Sequence, residues 1–250
     1  MDLYYQSVGQ GTPIIFVHGF SLNSRMWQPQ VYEFSKTNQV ITYDLRGFGK
    51  SPLPEEPYSH IEDLYNLVNH LKIKKFHLVG LSLGGEIAVD YSLTYPDTII
   101  SLTLADSSLG GYSSTVDWRV YAKEQGLEHA KQNWLNHMVF APSNRQPAVA
   151  EQLKAMVDDY SGWHWLNEDP RIKFEPPAKD RLNEITVPTQ IILGELDLFY
   201  YHDIAKILTD KVPNSKLHII NDAGHMTNLE NAVKFNEIIY SFINIKRSQI

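Results

Sequence analysis

Hydrophobic and polar positions divide this chain into alternating segments. Leu3 to Val8 carries a weak strand pattern ended by Gly9-Gln10-Gly11, and Pro13-Ile14-Ile15-Phe16-Val17 is a continuous apolar run of the kind buried on both faces of a sheet. Past a polar loop at Ser21, Asn23 and Ser24, apolar residues recur at helical spacing at Met26, Trp27, Val31 and Phe34. Gln39 to Tyr43 predicts a strand, and Ile61, Leu64, Leu67, Val68 and Leu71, three and four apart, predict an amphipathic helix. A strand at Phe76–Val79, a helix from Gly85 that stops at Pro96, and a strand at Ile99–Leu104 follow. Such alternation predicts parallel strands joined by crossover helices, an α/β doubly wound sheet.

The alternation breaks near Ser108. From there to Arg181 no strand-like run occurs, yet the stretch holds four of the five tryptophans (Trp118, Trp134, Trp163 and Trp165) and helical spacing at Leu153, Met156 and Val157. Strand and helix resume at Pro188–Gly194, Ile204–Leu208 and Lys216–Ile220, with a closing helix through Val233, Phe235, Ile238, Ile239 and Phe242. The predicted organisation is a core built from residues 1–107 and 182–250, with a helical cap, 108–181, inserted into it.

Composition narrows the function classes. At 250 residues with 43% hydrophobic content the chain can bury a substantial core. A net charge of −7, without a basic stripe, argues against nucleic acid as a partner; Lys72, Lys74 and Lys75 read as a solvated turn. The absence of cysteine removes thiol chemistry and disulfides and suits a cytoplasmic setting. No basic-then-apolar leader is read at Met1–Tyr5, and no apolar run approaches the roughly 20 residues needed to cross a bilayer.

The chemistry converges on Gly80-Leu81-Ser82-Leu83-Gly84, which sits between a predicted strand and a predicted helix. A serine on that sharp turn stands clear of the backbone, and glycines two residues to either side avoid collision with the neighbouring strand and helix. A serine hydroxyl needs a base, and the base needs an orienting acid. His225, in Ala223-Gly224-His225 after the last predicted strand, lies at the same carboxyl edge of the sheet and is the candidate base. Two acids are in position, Asp197 after the Ile191–Leu193 strand and Asp106 after Leu102–Leu104; the turn Gly194-x-x-Asp197 favours Asp197 and leaves Asp106 as a loop cap. Backbone N–H groups of Leu83 and Phe20 are the candidate oxyanion donors. His18 reads as a ring that fixes the Gly19-Phe20 loop, Asp44 and Arg46 as an ion pair, and Glu195 and Asp203 as solvated.

His18-Gly19, Asp44-x-Arg46-Gly47-x-Gly49-x-Ser51, Gly80-x-Ser82-x-Gly84-Gly85, Gly194-x-x-Asp197 and Gly224-His225 together resemble the α/β-hydrolase superfamily in its Ser…Asp…His order, from about residue 4 to 243. Leu104-Ala105-Asp106-Ser107-Ser108, Trp118-Arg119, Gly126 and Trp134 are similar to 3-oxoadipate enol-lactonases and related carboxylesterases. The resemblance implies an α/β-hydrolase fold with its cap after the sixth core strand. It also implies acyl transfer to water through an acyl-enzyme, small esters or lactones as substrates, and no cofactor or metal. Serine at the elbow sets the chain apart from dehalogenases and epoxide hydrolases, which carry aspartate there. Carbon–carbon hydrolases, menaquinone-pathway lyases and cofactor-free haloperoxidases or perhydrolases keep the same triad. So do ligand-responsive signalling proteins of this fold, which turnover would distinguish.

The cap is expected to supply an aromatic pocket from Trp118, Tyr121, Trp134, Phe140 and Trp163, with packing of the cap itself the competing role. A carboxylate-bearing lactone would require a buried arginine from among Arg119, Arg145 and Arg171. The partner set is then a small-molecule ester or lactone, neither nucleic acid nor membrane, with a homodimer allowed.

Overall fold

The structure is a computed structural model that describes residues 2–112 and 117–247. Met1 and 248–250 of the core segments, and 113–116 of the insertion, lie outside the described residues. Seven strands form one sheet in the order β1-β3-β2-β4-β5-β6-β7, where β1 is Tyr5–Val8, β2 Pro13–Val17, β3 Gln39–Tyr43, β4 Phe76–Leu81, β5 Ile99–Ala105, β6 Thr189–Gly194 and β7 Lys216–Ile220. Only the edge strand β1 runs antiparallel, pairing Tyr5 with Tyr43 through Val8 with Val40. This is the α/β-hydrolase fold expected above. Five strands precede the insertion here, not six.

Strand periodicity places the two faces of the sheet in two cores. Ile15 and Val17 of β2 pack with Leu64, Leu67 and Val68 of α2 (His60–His70), with Ile87 and Tyr91 of α3 (Leu83–Thr94) and, on the same face, with Ile204 and Leu208 of α8 (Phe199–Lys211). Ile14 and Phe16 point the other way, to Trp27, to Phe34 of α1 (Gln28–Phe34) and to Phe235 and Ile239 of α10 (Ala232–Arg247). Helices therefore cover both faces, which is why β2 and β4 are continuous apolar runs rather than alternating ones.

Between β5 and β6 the described chain holds α4 (Trp118–Gln125), α5 (Leu127–Leu135), α6 (Pro147–Asp159) and α7 (Trp163–Leu166), with short 3₁₀ turns and no strand. These helices do not bury a cluster of their own. Ala122, Ala130, Tyr160 and Trp165 join one core of the sheet, and Phe140, Leu153, Met156 and Val157 join the other. The insertion is thus packed down on the carboxyl edge of the sheet.

Order along the sheet locates the site. From β2 the chain moves outward to β3, whereas from β4 it moves to β5 on the opposite side. The loops leaving β2 and β4 diverge there and open a crevice, as at other switch points of parallel sheets. The loop after β3 differs from the sequence reading. Asp44 does not pair with Arg46: it is buried and accepts the Ser24 and Lys50 backbone N–H groups, both at 2.8 Å. Arg46 forks onto Asp63 of α2, at 3.0 and 2.6 Å. A carboxylate in a loop rich in free backbone donors is satisfied locally, so the guanidinium turns to the helix. His18 does fix its loop, its ring meeting Gly19 O at 2.7 Å and accepting Leu45 N–H at 2.9 Å.

Close approach at the β4–α3 turn generates a stability prediction. A Cβ on Gly84 would lie 2.1 Å from Val17 O, a backbone atom of β2 that cannot move independently. Gly84→Ala is expected to cost about 2–3 kcal/mol, the usual range for overpacking. A thermal melt within a degree of the parent would contradict the packing described here.

Candidate active site

Ser82 lies at the turn from β4 to α3 with φ 55 and ψ −117, a conformation that an L-residue adopts only at a cost. Its neighbours hold it there. The Ser82 N–H donates to Ala105 O at 3.0 Å, and its carbonyl accepts from Gly85, Glu86 and Ser108 N–H at 2.9, 3.1 and 3.0 Å. Gly80 is required because a Cβ there would come within 2.1 Å of Gly84 O. Gly19 brings the β2 loop alongside: its own missing Cβ would sit 3.5 Å from Ser82 Cβ. Leu83 opens α3, where no carbonyl of the helix can reach its N–H.

His225 lies on the loop between β7 and α9 (Thr227–Glu230) and is buried. Its Nδ1 is 2.9 Å from Asp197 Oδ2, and the Asp197 side chain is wholly shielded from solvent. Asp197 is on the turn between β6 and α8, where its other oxygen accepts Leu198 N–H at 2.7 Å. A carboxylate on Nδ1 holds the proton there and leaves Nε2 as the basic nitrogen. Asp106 is equally buried but does not bond to His225. Its Oδ1 accepts Gly194 N–H at 2.8 Å and its Oδ2 accepts the Thr227 hydroxyl at 2.5 Å. Burial, and then the nearby Asp197 carboxylate, pushes the Asp106 carboxyl well above its ordinary range. Asp106, Asp197 and His225 form a compact trio with the dimensions of a metal site. All four of its carboxylate oxygens already accept a protein hydrogen bond. Such a trio fits a hydrogen-bonded network better than an ion.

Ser82, Leu83, Phe20 and His225 line one cavity of about 520 Å³. Of the predicted pocket residues, Trp118, Trp134 and Phe140 line it. Tyr121 and Trp163 do not. Tyr121 packs behind Trp118, with ring centroids 5.8 Å apart, and Trp163 packs against His164 at 5.0 Å. Both belong to the cap's own packing, set by a helical phase that spacing within a short helix does not define. Among the wall residues that escape the sequence reading are Leu198 and Tyr201. The Tyr201 ring lies 4.2 Å from the His225 ring, tilted by 38°. Burial pushes its phenol well up, opposed by hydrogen bonds to Ser82 and Ser108. Its only sequence signal is a place one helical turn beyond Asp197.

Among the described residues lining this cavity there is no lysine or arginine. Burial and nearby His225 lower the His137 pKa, which keeps that ring neutral as well. Arg119 pairs with Asp117 and Arg145 is exposed. Arg171 bonds Glu86 at 3.2 Å and faces a second hollow, of about 440 Å³, beside the first. The buried arginine that an acidic lactone would need is not at this cavity.

Residues 14–238 match the alpha/beta hydrolase family, and the chain belongs to it. It is 33% identical to a solved N-acyl homoserine lactone degrading enzyme, Est816, over 96% of each chain with a TM-score of 0.82. It is 26% identical to the uncharacterized carboxylesterase nap of Bacillus subtilis (strain 168), over 93% of this chain and 79% of that one. The enol-lactonase of Burkholderia xenovorans LB400 is 25% identical over 97% of this chain and 96% of its own, at a TM-score of 0.82. The protein is a hydrolase of the esterase/lactonase type. No helix among the described residues is long and apolar enough to cross a membrane.

The second hollow generates its own prediction. Asp90, on its wall, is buried, one carboxyl oxygen has no hydrogen-bond partner, and burial raises its pKa to about 8. Unfolded, the same group ionises near 3.9. Between those values the folded chain holds a proton that the unfolded chain has lost, so this group destabilises the fold progressively as pH rises. Asp90→Asn is expected to melt above wild type at pH 8, with the gap closing towards pH 4. A gap independent of pH would contradict a neutral Asp90.

Proposed function

We propose that the protein hydrolyses neutral carboxylic esters or lactones with an apolar acyl group, using Ser82 as nucleophile, His225 as base and Asp197 as the orienting acid. The observation that carries this is the convergence of a strained Ser82 and a buried Asp197–His225 pair on one aromatic cavity with no lysine or arginine among its described lining residues. Phe20 and Leu83 supply the oxyanion N–H groups. Similarity to an enzyme that degrades N-acyl homoserine lactones, neutral molecules with an acyl chain, supports the same class of substrate.

The steps follow from the groups present. His225 Nε2 takes the Ser82 proton as Oγ attacks the carbonyl carbon. Negative charge then develops on the carbonyl oxygen, where two fixed N–H dipoles stabilise it without reorganising. The imidazolium, held by Asp197, returns the proton to the leaving alkoxide or opened lactone oxygen. Water, activated by the same ring, releases the acid and restores Ser82. Asp197 accepts from His225 and from the Leu198 N–H, whereas Asp106 braces Gly194 and Thr227 around it.

Turnover on p-nitrophenyl esters and neutral lactones tests the reading. Ser82→Ala is expected to abolish it while the fold survives. Asp197→Asn should lower kcat by about 10⁴-fold, the cost of losing the histidine's tautomer, and Asp106→Asn by less than about tenfold. Retained activity in Ser82→Ala would sink the mechanism, and an inverted order of the two aspartates would move the acid to Asp106. A single stoichiometric event without turnover would point to a signalling protein instead.

A further inference from the structure

The loop that carries Phe20 is tied to the cap by a hydrogen bond whose chemistry is specific. Residues Gly19 to Leu22 form a tight turn, closed by Leu22 N–H on Gly19 O at 3.4 Å. Ser21, third in that turn, has φ 61 and is fully buried. Third positions with positive φ favour glycine, and serine pays a steric penalty there. What serine adds is a hydroxyl. Its Oγ accepts the indole N–H of Trp134 at 2.6 Å, a bond between residues 113 positions apart. Trp134 belongs to α5 of the insertion.

Side-chain packing repeats the connection. The Phe20 ring lies within 6.3 Å of Trp134, 5.9 Å of Tyr160 and 6.0 Å of Trp165, centroid to centroid, and all three come from the insertion. On the core side it meets Phe48 at 5.5 Å. Thus both Ser21 and the Phe20 ring are fixed by the same cap surface, while Gly19 of the same turn lies against Ser82.

We infer that Trp134 is a positioning residue for the oxyanion site. Its N–H holds Ser21 in the left-handed conformation and thereby aims the Phe20 N–H at the reacting carbonyl. The cap thus completes the catalytic apparatus as well as shaping the pocket. This rests on the proposed hydrolase mechanism. A donor held by a single turn is sensitive to small displacements, since a misplacement near 1 Å costs on the order of 10²-fold in rate.

Four variants of the full chain test the inference: Trp134→Phe, Ser21→Ala, Ser21→Gly, and Trp134→Phe combined with Ser21→Ala. Each is assayed with p-nitrophenyl butyrate and with butaneboronic acid, whose serine adduct mimics the tetrahedral intermediate. Trp134→Phe and Ser21→Ala are each expected to lower kcat about tenfold or more while KM stays within about twofold, the pattern of a contact made only in the transition state. Boronate affinity should fall by the same factor as kcat. The double variant should be no worse than either single one, because both remove one bond. Ser21→Gly is the decisive arm: glycine takes a positive φ with no bond to hold it, so it should melt close to wild type and keep kcat within about threefold. Full kcat in Ser21→Ala, a loss in Ser21→Gly as large as that in Ser21→Ala, or additive losses in the double variant would overturn the inference. A Trp134→Phe effect confined to KM or chain-length preference would likewise reduce Trp134 to a pocket wall. If Trp134→Phe fails to fold, the serine variants carry the test alone. Loss of turnover in Ser82→Ala shows separately that the mechanism stands, so failure here and failure of the hydrolase reading are distinct.

Discussion

The backbone of Ser82 is the constraint on which the surrounding structure depends. Its left-handed φ of 55 is costly for a residue with a side chain, and the cost is met by four backbone hydrogen bonds to β5, α3 and Ser108. These bonds require β4 and β5 to be adjacent and parallel, α3 to start at once, and Gly80 and Gly84 to let the chains approach. Any looser arrangement would let the serine relax into an ordinary turn and withdraw its hydroxyl from the crevice. The rigidity of the sheet is what keeps that hydroxyl presented.

Around this point the chain separates two carboxyl groups that start out chemically alike. Asp197 and Asp106 leave neighbouring strands and lie close to one histidine. Asp197 faces two N–H donors, one of them the imidazole, and holds that ring in place. Asp106, equally buried and next to Asp197, has its carboxyl pushed well above the ordinary range and braces Gly194 and Thr227. The low-dielectric setting makes both assignments matter, because an unpaired charge there would be expensive. The aromatic cavity in front of them is free of cations among its described residues, which suits a neutral ester and offers nothing to hold a carboxylate.

Much of this was legible in the chain, for local reasons. Ser82 at a strand-to-helix turn and His225 just past the last strand follow from hydrophobic runs and glycine spacing, which are properties of neighbouring residues. The same holds for His18, whose ring closes onto its own loop and the next strand exit. Partner choice was not legible where distant elements compete. Arg46 turned to Asp63 because α2 packs beside it, a fact that only the sheet order sets. Tyr121 and Trp163 are aromatic cap residues like Trp118 and Trp134, but rotation about short helices turns them away from the cavity. Tyr201 was missed because nothing local marks a tyrosine that becomes important only when it meets His225 across the β6–β7 loops. The five strands before the cap are also marked by the hydrophobic runs; the count of six comes from the family resemblance and not from the pattern.

The central claim is that one serine, made reactive by its buried histidine, carries the chemistry. Labelling the native protein with a fluorophosphonate and mapping the adduct by peptide mass spectrometry tests it most directly. The account predicts a single adduct on Ser82, formed in parallel with loss of esterase activity and suppressed when His225 is replaced by alanine. Inactivation without an adduct on Ser82, or an adduct on another residue while Ser82 stays unmodified, would contradict it.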